Sequence, residues 1–243
     1  MGVHTAKTSV TMDDVINADG KSINISGDLN KKFAAYPTGD CRALDGMTPL
    51  QEYCNAASML APAAACLCLY FLPPHPGFWN WRHGLMTASV LLHLPFSCAY
   101  HLLLATRRLR HATDCTARRL DQTFIHVTCL ATGCALSASE VFTAFYIMLN
   151  LYFIGRLWAP RDAGVSERMA NIGMAAVLYG MPPLARGEFY HVLSGAFFFA
   201  TGAALMYLRI GGWGHCLMHI LSTGLSYHFL MLASLVPEVP SEL

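Results

Sequence analysis

The chain has 243 residues, of which 54% are hydrophobic and only 13% are charged. A soluble globular domain carries about 25% charged residues, so the composition argues against an ordinary soluble domain. A formal net charge of +1 gives no reason to expect a nucleic-acid partner. Most of the nine cysteines lie within apolar segments and none forms a CxxC motif, which favours small membrane-helix side chains over a disulfide framework.

Residues 1–50 form a polar N-terminal segment. This segment lacks the basic start and short apolar run of a signal peptide, so we expect membrane targeting to come from the first spanning helix. Its composition predicts a largely disordered cytosolic tail. Asn24 begins an Asn-Ile-Ser glycosylation sequon, which a cytosolic tail would not use.

Seven apolar segments follow the polar tail. A helix needs about 20 mostly apolar residues to cross the hydrocarbon core, and these segments lack the polar face of a soluble helix. Because backbone polar groups in lipid must be satisfied within the chain, the sequence predicts an all-α, seven-transmembrane-helix bundle at 51–236 and a short C-terminal tail at 237–243. The predicted spans cover about residues 53–72, 84–105, 121–137, 141–158, 169–184, 189–208 and 215–236.

The arginines and lysines of the connecting segments predict the orientation, because cytosolic loops carry an excess of them. The connection after the second span holds five arginines, and three more lie at or beside the connection after the fourth. The opposite side holds only Arg82 and Arg186, and the C-terminal tail has no lysine or arginine. We therefore expect the N-terminus in the cytosol and the C-terminus outside.

Several polar residues lie within predicted spans, where ionisable side chains are costly and usually functional. Ser97 and His101 are four residues apart near the cytosolic end of the second span, so they share one helical face. Asp121 opens the third span, and His215 and His219 lie four apart in the first turns of the seventh. Because the orientation was inferred from the arginines alone, the matching depth of these residues is independent support for a shared site.

This set of side chains is typical of a metal centre. Three neutral imidazoles with one water form a common catalytic zinc arrangement, so we predict that His101, His215 and His219 bind zinc. Zinc lowers the pKa of a bound water to about 7; Asp121 could hold that water and accept its proton. Ser97 could steady a ligand or donate to a developing oxyanion. The alternative is that the histidines are amphipathic side chains in the headgroup region and that Asp121 caps a helix.

The order Ser-x3-His, Asp, His-x3-His resembles that of the CREST superfamily of seven-helix membrane hydrolases and receptors, over about residues 50–236. The chain is most similar to the progestin and adipoQ receptor / hemolysin III family within it. The further residues that carry this resemblance lie in the first, third, sixth and seventh spans: Glu52, Asn55 and Ser58; Arg118-Arg119-Leu120-Asp121; Leu193-Ser194-Gly195; and His219 with Gly224 and His228-Phe229.

The resemblance implies zinc at the three histidines, with Asp121 and Ser97 beside it, and either lipid amide hydrolysis or a receptor role. We predict a zinc-dependent membrane hydrolase whose amide or ester substrate, a sphingolipid-like or acyl lipid, enters sideways from the bilayer. The alternative is a seven-transmembrane receptor or sensor with a structural zinc site. A channel-like protein is less favoured, because no repeated polar lining runs along several spans. The role of Glu52 stays open, while His93, His126 and His228 are interpreted as internal hydrogen-bonding residues.

Overall fold

The computed structural model of the protein describes residues 14–16, 22–24, 47–106, 108–109, 115–159, 164–208 and 210–237. The chain divides into two compact units, Met1–Ala43 and Leu44–Leu243. The predicted disorder of the tail at 1–50 and the C-terminal segment 238–243 fall largely outside the described residues, as does the glycosylation sequon beyond Asn24.

The first unit contains a short pair of strands. Strand β1, Asp14–Ile16, runs antiparallel to β2, Ser22–Asn24. Asp14 pairs with Asn24 and Val15 pairs with Ile23. The sequence did not predict these strands, because three residues are too few to display the two-residue alternation that identifies a strand.

The second unit is helical throughout its described residues, apart from turns and connections. Its α-helices, in chain order, are α1 (Pro49–Ser58), α2 (Leu60–Phe71), α3 (Trp81–Ala105), α4 (Thr116–Leu136), α5 (Glu140–Trp158), α6 (Val165–Tyr179), α7 (Met181–Ala185), α8 (Phe189–Leu208) and α9 (Gly214–Ala233). A 3-10 turn at Ile210–Gly212 precedes α9.

Five helical segments of the described chain are long and apolar enough to cross a membrane, which supports the prediction of a membrane protein. They are Pro49–Phe71 (α1 with α2), Trp81–Ala105, Glu140–Trp158, Phe189–Leu208 and Gly214–Ala233. Two other predicted spans differ for separate reasons. Helix α4 has 21 residues but begins with several charged and polar side chains. Helix α6 has only 15 residues, because the helix ends at Gly180. The prediction of seven spans therefore stays a prediction.

The start of α1 is fixed by a reciprocal cap. The Thr48 hydroxyl accepts a hydrogen bond from the Gln51 backbone N–H, and the Gln51 side chain accepts one from the Thr48 N–H. Gln51 Nε2 also donates to the carbonyl of Gly211, at 2.7 Å. These contacts tie the first turn of α1 to the segment that leads into α9.

Helices α8 and α9 approach each other closely because glycines face large side chains of the partner helix. Gly224 of α9 lies against the ring of Phe198, and Gly195 of α8 lies against the ring of Phe229. A Cβ on Gly224 would overlap the Phe198 ring. The close approach fixes the rotation of α9 and therefore the direction in which its histidines point.

At the end of the bundle where α4 and α9 finish, two arginines bind backbone carbonyls at the C-terminus of α4. Arg82 Nη1 donates to the carbonyls of Ala135 and Ser137, and Arg186 Nη1 donates to that of Leu136. The last carbonyls of a helix lack intrahelical partners and carry partial negative charge, so a guanidinium both donates hydrogen bonds to them and offsets that charge. The two arginines predicted on the outer side thus have a structural role.

Candidate metal centre

The imidazoles of His101, His215 and His219 come together inside the bundle, and we call them the histidine cluster. Their candidate ligand atoms all lie within 4.8 Å of one another, and all three residues are buried. His101 is at the C-terminal end of α3, while the other two lie one turn apart on one face at the start of α9. The sequence-predicted metal ligands are therefore close enough to share one ion.

Their ring nitrogens are arranged for coordination through Nε2. The Nε2 atoms of His215 and His219 lie 3.1 Å apart. His101 turns its Nδ1 to the carboxylate of Glu52, at 2.7 Å, which leaves Nε2 for the cluster. His101 Nε2 and His215 Nδ1 are buried and have no hydrogen-bond partner among the described residues.

Buried polar atoms in proteins are normally satisfied, so an orphaned imidazole nitrogen within the cluster fits a site that binds an additional group. Three imidazole nitrogens suit zinc and other borderline divalent ions. The buried cluster can thus bind a metal; the identity of the ion stays a prediction.

Helix α1 supplies the outer contacts of the cluster. His219 Nδ1 lies 3.0 Å from Ser58 Oγ and 3.1 Å from the carbonyl oxygen of Asn55. A backbone carbonyl can only accept, so this contact favours an N–H at Nδ1 and a lone pair at Nε2. Such partners orient a metal-binding histidine and select its tautomer.

Asp121 lies near the cluster in the second turn of α4 and is 3% exposed. Its Oδ2 accepts from Arg118 Nη1 at 2.9 Å, and its Oδ1 lies 3.1 Å from His93 Nε2. Asp121 is close enough to His101 and to both histidines of α9 to interact with them electrostatically. The carboxylate is therefore held between its two partners, within electrostatic range of the cluster.

Ser97 is placed one turn before His101 on α3 and is 1% exposed. In the described part of the chain, no hydrogen bond joins its hydroxyl to Asp121 or to the histidines. Its place one turn from His101 follows from the helix, whereas its proposed role toward an oxyanion stays a prediction.

The sequence alone did not indicate contacts of Glu52, Ser58 and His93 with the site: the role of Glu52 stayed open, and His93 was interpreted as a hydrogen-bonded packing residue. Glu52, Asn55 and Ser58 recur every three residues, which places them along one side of α1. His93 precedes Ser97 by one turn on the face of α3 that carries His101. These spacings indicated a shared face, but not which side chain of another helix each residue would contact.

The remaining internal histidines lie elsewhere. His126 Nδ1 is 3.3 Å from the side-chain oxygen of Asn150, and its ring packs near Phe153. His228 pairs with His191, their Nδ1 atoms 3.0 Å apart, where α9 approaches the first turns of α8. Both arrangements agree with internal hydrogen bonding and neither residue belongs to the histidine cluster.

Comparison with models of known protein families finds none that matches the chain, and comparison with curated proteins finds no significant match.

Proposed function

We propose that the protein is a zinc-dependent integral membrane hydrolase that cleaves an amide or ester bond of a lipid. The observation that carries the proposal is the convergence of three buried imidazoles from α3 and α9, within electrostatic range of the carboxylate of Asp121. A bound Zn²⁺ would supply Lewis acidity, which activates a water molecule and polarises a carbonyl group. The resemblance to the CREST hydrolases supports the same chemistry.

The outer contacts of the histidines would serve this chemistry by fixing their orientation. Glu52 holds His101, while the Asn55 carbonyl and the Ser58 hydroxyl hold His219. A ligand that does not reorient when the ion binds loses less conformational entropy, which strengthens binding.

Asp121 is the candidate proton acceptor. Arg118 and His93 each occupy one lone pair of its carboxylate, and every carboxylate oxygen has a second lone pair that can accept a proton. In the proposed reaction, Asp121 takes a proton from the attacking water and returns it to the leaving nitrogen or oxygen. Ser97, one turn before His101, would donate its hydroxyl to the oxyanion.

We also propose that all seven predicted spans cross the bilayer, with the N-terminus cytosolic and the C-terminus outside. Helices α6 and α7 are separated only by Gly180 and together cover residues 165–185, which is long enough for a crossing. The charged residues of α4 lie in its first two turns, where Arg118 is ion-paired to Asp121 inside the bundle. The histidine cluster then lies near the cytosolic leaflet.

A lipid substrate follows from that location. Helices α8 and α9 expose large apolar side chains, among them Leu193, Phe197 and Ile220, as expected of surfaces in contact with acyl chains. A ceramide-like or acyl lipid could diffuse laterally to the bundle and bring its carbonyl to the buried site without leaving the membrane.

The test is hydrolysis by purified protein in detergent or nanodiscs, with and without a chelator. We expect cleavage of at least one member of a ceramide, phospholipid and acyl-ester panel, loss of activity after zinc removal, and recovery on adding zinc. Replacing both His215 and His219 by Ala should abolish activity, while His75→Ala, an exposed histidine outside the cluster, should not. A zinc-loaded protein that cleaves nothing in the panel overturns the proposal.

A second candidate is a receptor or sensor in which the ion is structural. The observation that favours it is the burial of the whole histidine cluster, together with protein partners on both oxygens of Asp121. In that case the ion would tie α3 to α9 without chemistry. Asp121→Asn separates the candidates: it should leave zinc bound in both cases, but should abolish hydrolysis only if Asp121 is catalytic.

A further inference from the structure

Glu52 is a buried carboxylate that contacts His101 of the histidine cluster and Asn55, whose carbonyl contacts His219. Its Oε2 lies 2.7 Å from His101 Nδ1 and accepts a hydrogen bond from Asn55 Nδ2 at 3.2 Å. Glu52 is 6% exposed and, within the described residues, forms no ion pair with lysine or arginine. An isolated buried charge is costly, so this carboxylate requires a positive charge close by.

We propose that Glu52 is the positioning residue and the charge partner of the metal site, an inference that rests on the metal centre of the proposed function. An ionised carboxylate only accepts hydrogen bonds, so its contact with Nδ1 fixes the proton of His101 on that nitrogen. The lone pair of His101 then lies on Nε2, the buried nitrogen that has no hydrogen-bond partner in the part of the chain that the structure describes. Glu52 thereby presents His101 to the ion in the required tautomer.

The charge balance of the site indicates the second role of Glu52, which is to offset the positive charge of a bound ion. Three neutral imidazoles do nothing to offset the charge of a divalent ion in a buried environment. The negative charge of Asp121 is already matched by Arg118, at 2.9 Å. Among the described residues Glu52 has no such basic partner, and it would be joined to a bound ion through a single imidazole, so its charge is available to stabilise that cation.

The fold holds Glu52 firmly enough for this purpose. The reciprocal Thr48–Gln51 cap fixes the turn from which Glu52 projects, and Gln51 also binds the Gly211 carbonyl next to α9. Asn55, one turn later, donates to the same Oε2 that faces His101. The carboxylate is therefore positioned before any ion binds.

His219 provides an internal comparison, because its outer partners are uncharged. Its Nδ1 contacts the Asn55 carbonyl and the Ser58 hydroxyl. Ser58→Ala leaves the carbonyl contact in place, so it removes an outer contact without changing the charge. Glu52→Gln keeps the size and an accepting oxygen but removes the charge.

The experiment measures the dissociation constant for Zn²⁺ by chelator competition in purified full-length wild-type protein and its variants. We expect Glu52→Gln to weaken binding by about 10–100-fold, Ser58→Ala to weaken it less, and Glu167→Gln, at an exposed glutamate, to leave it unchanged. Co²⁺ absorption spectra should report a distorted site in Glu52→Gln. The metal-free Glu52→Gln protein should unfold at a temperature no lower than the metal-free wild type, because the buried charge is gone.

Glu52→Asp keeps the charge but shortens the side chain by one methylene, and we expect this variant to bind zinc more weakly than the wild type does. It tests the role of Glu52 if the Glu52→Gln protein fails to fold. Wild-type zinc affinity in the folded Glu52 variants overturns the role of Glu52 and leaves the proposed function standing. A wild-type protein that binds no zinc overturns the metal centre itself.

Discussion

His93 Nε2 lies 3.1 Å from Asp121 Oδ1, so a histidine of α3 contacts the carboxylate proposed to accept the reaction proton. Arg118 binds the other carboxylate oxygen from the preceding turn of α4. Asp121 is thus held from two helices, and its orientation depends on both partners.

Replacing His93 by Asn should therefore misplace Asp121 without removing the metal ligands. We expect turnover to fall by about 10–100-fold, with zinc content unchanged. Asp121→Asn should be more severe, at about 100–10,000-fold, since it removes the proton acceptor. Initial rates and zinc content of the same preparations check this, with His75→Asn as the control; a His93→Asn protein with wild-type turnover would show that Asp121 needs no support from α3.

The histidine cluster predicts one zinc ion per chain. His101→Ala or His219→Ala should lower the bound zinc to a small fraction of the wild-type content, because two imidazoles are a poor site for a buried ion. Elemental analysis after dialysis against a weak chelator gives the stoichiometry. His191→Ala, which alters the separate histidine pair with His228, should retain zinc; equal loss in that variant would indicate general unfolding instead.

Zinc binding should weaken as the pH falls, because a protonated imidazole cannot coordinate a metal and three imidazoles are involved. Affinity should be full at neutral and mildly alkaline pH and should decline steeply under acidic conditions. Zinc release followed with a fluorescent indicator over a series of buffers measures the effect. A pH-independent affinity would contradict coordination by histidine.

Arg82 should contribute strongly to stability at the other end of the bundle. Arg82→Leu removes two charged hydrogen bonds to the carbonyls of Ala135 and Ser137 and leaves buried acceptors without those donors. We expect a loss of about 3 kcal/mol in the free energy of unfolding. Arg156→Leu, at an exposed ion pair with Glu167, should cost much less stability; equal thermal shifts for the two variants would contradict the assignment.

Two glycines form a matched pair for testing helix packing. A Cβ on Gly133 would overlap the ring of Tyr146, whose hydroxyl donates to the Ala175 carbonyl. Gly133→Ala should therefore destabilise the protein by about 1–3 kcal/mol. Gly155 of α5 has open space around its Cβ position, so Gly155→Ala should be neutral or stabilise by up to about 1 kcal/mol. Thermal unfolding in one detergent compares them directly.

The sequence by itself determined the helical, membrane-like character of the second unit and the residues most suited to bind a metal. Long apolar segments and four-residue spacings are local properties, so Ser97 with His101 and His215 with His219 could each be placed on one face. Helix boundaries were less well defined by the sequence: α4 begins at Thr116, ahead of the predicted Asp121, and its charged first two turns are stabilised inside the bundle by the Arg118–Asp121 ion pair.

Only the tertiary structure decided which side chains meet across helices. Glu52 and His101 are 49 residues apart, and Ser58 and His219 are 161 apart, so no local pattern encodes either contact. These pairings follow from the rotation and close approach of packed helices, which glycines such as Gly224 permit. The available imidazole nitrogen of His101 and the contact of His93 with Asp121 were for the same reason invisible in the sequence, because each depends on a neighbouring helix.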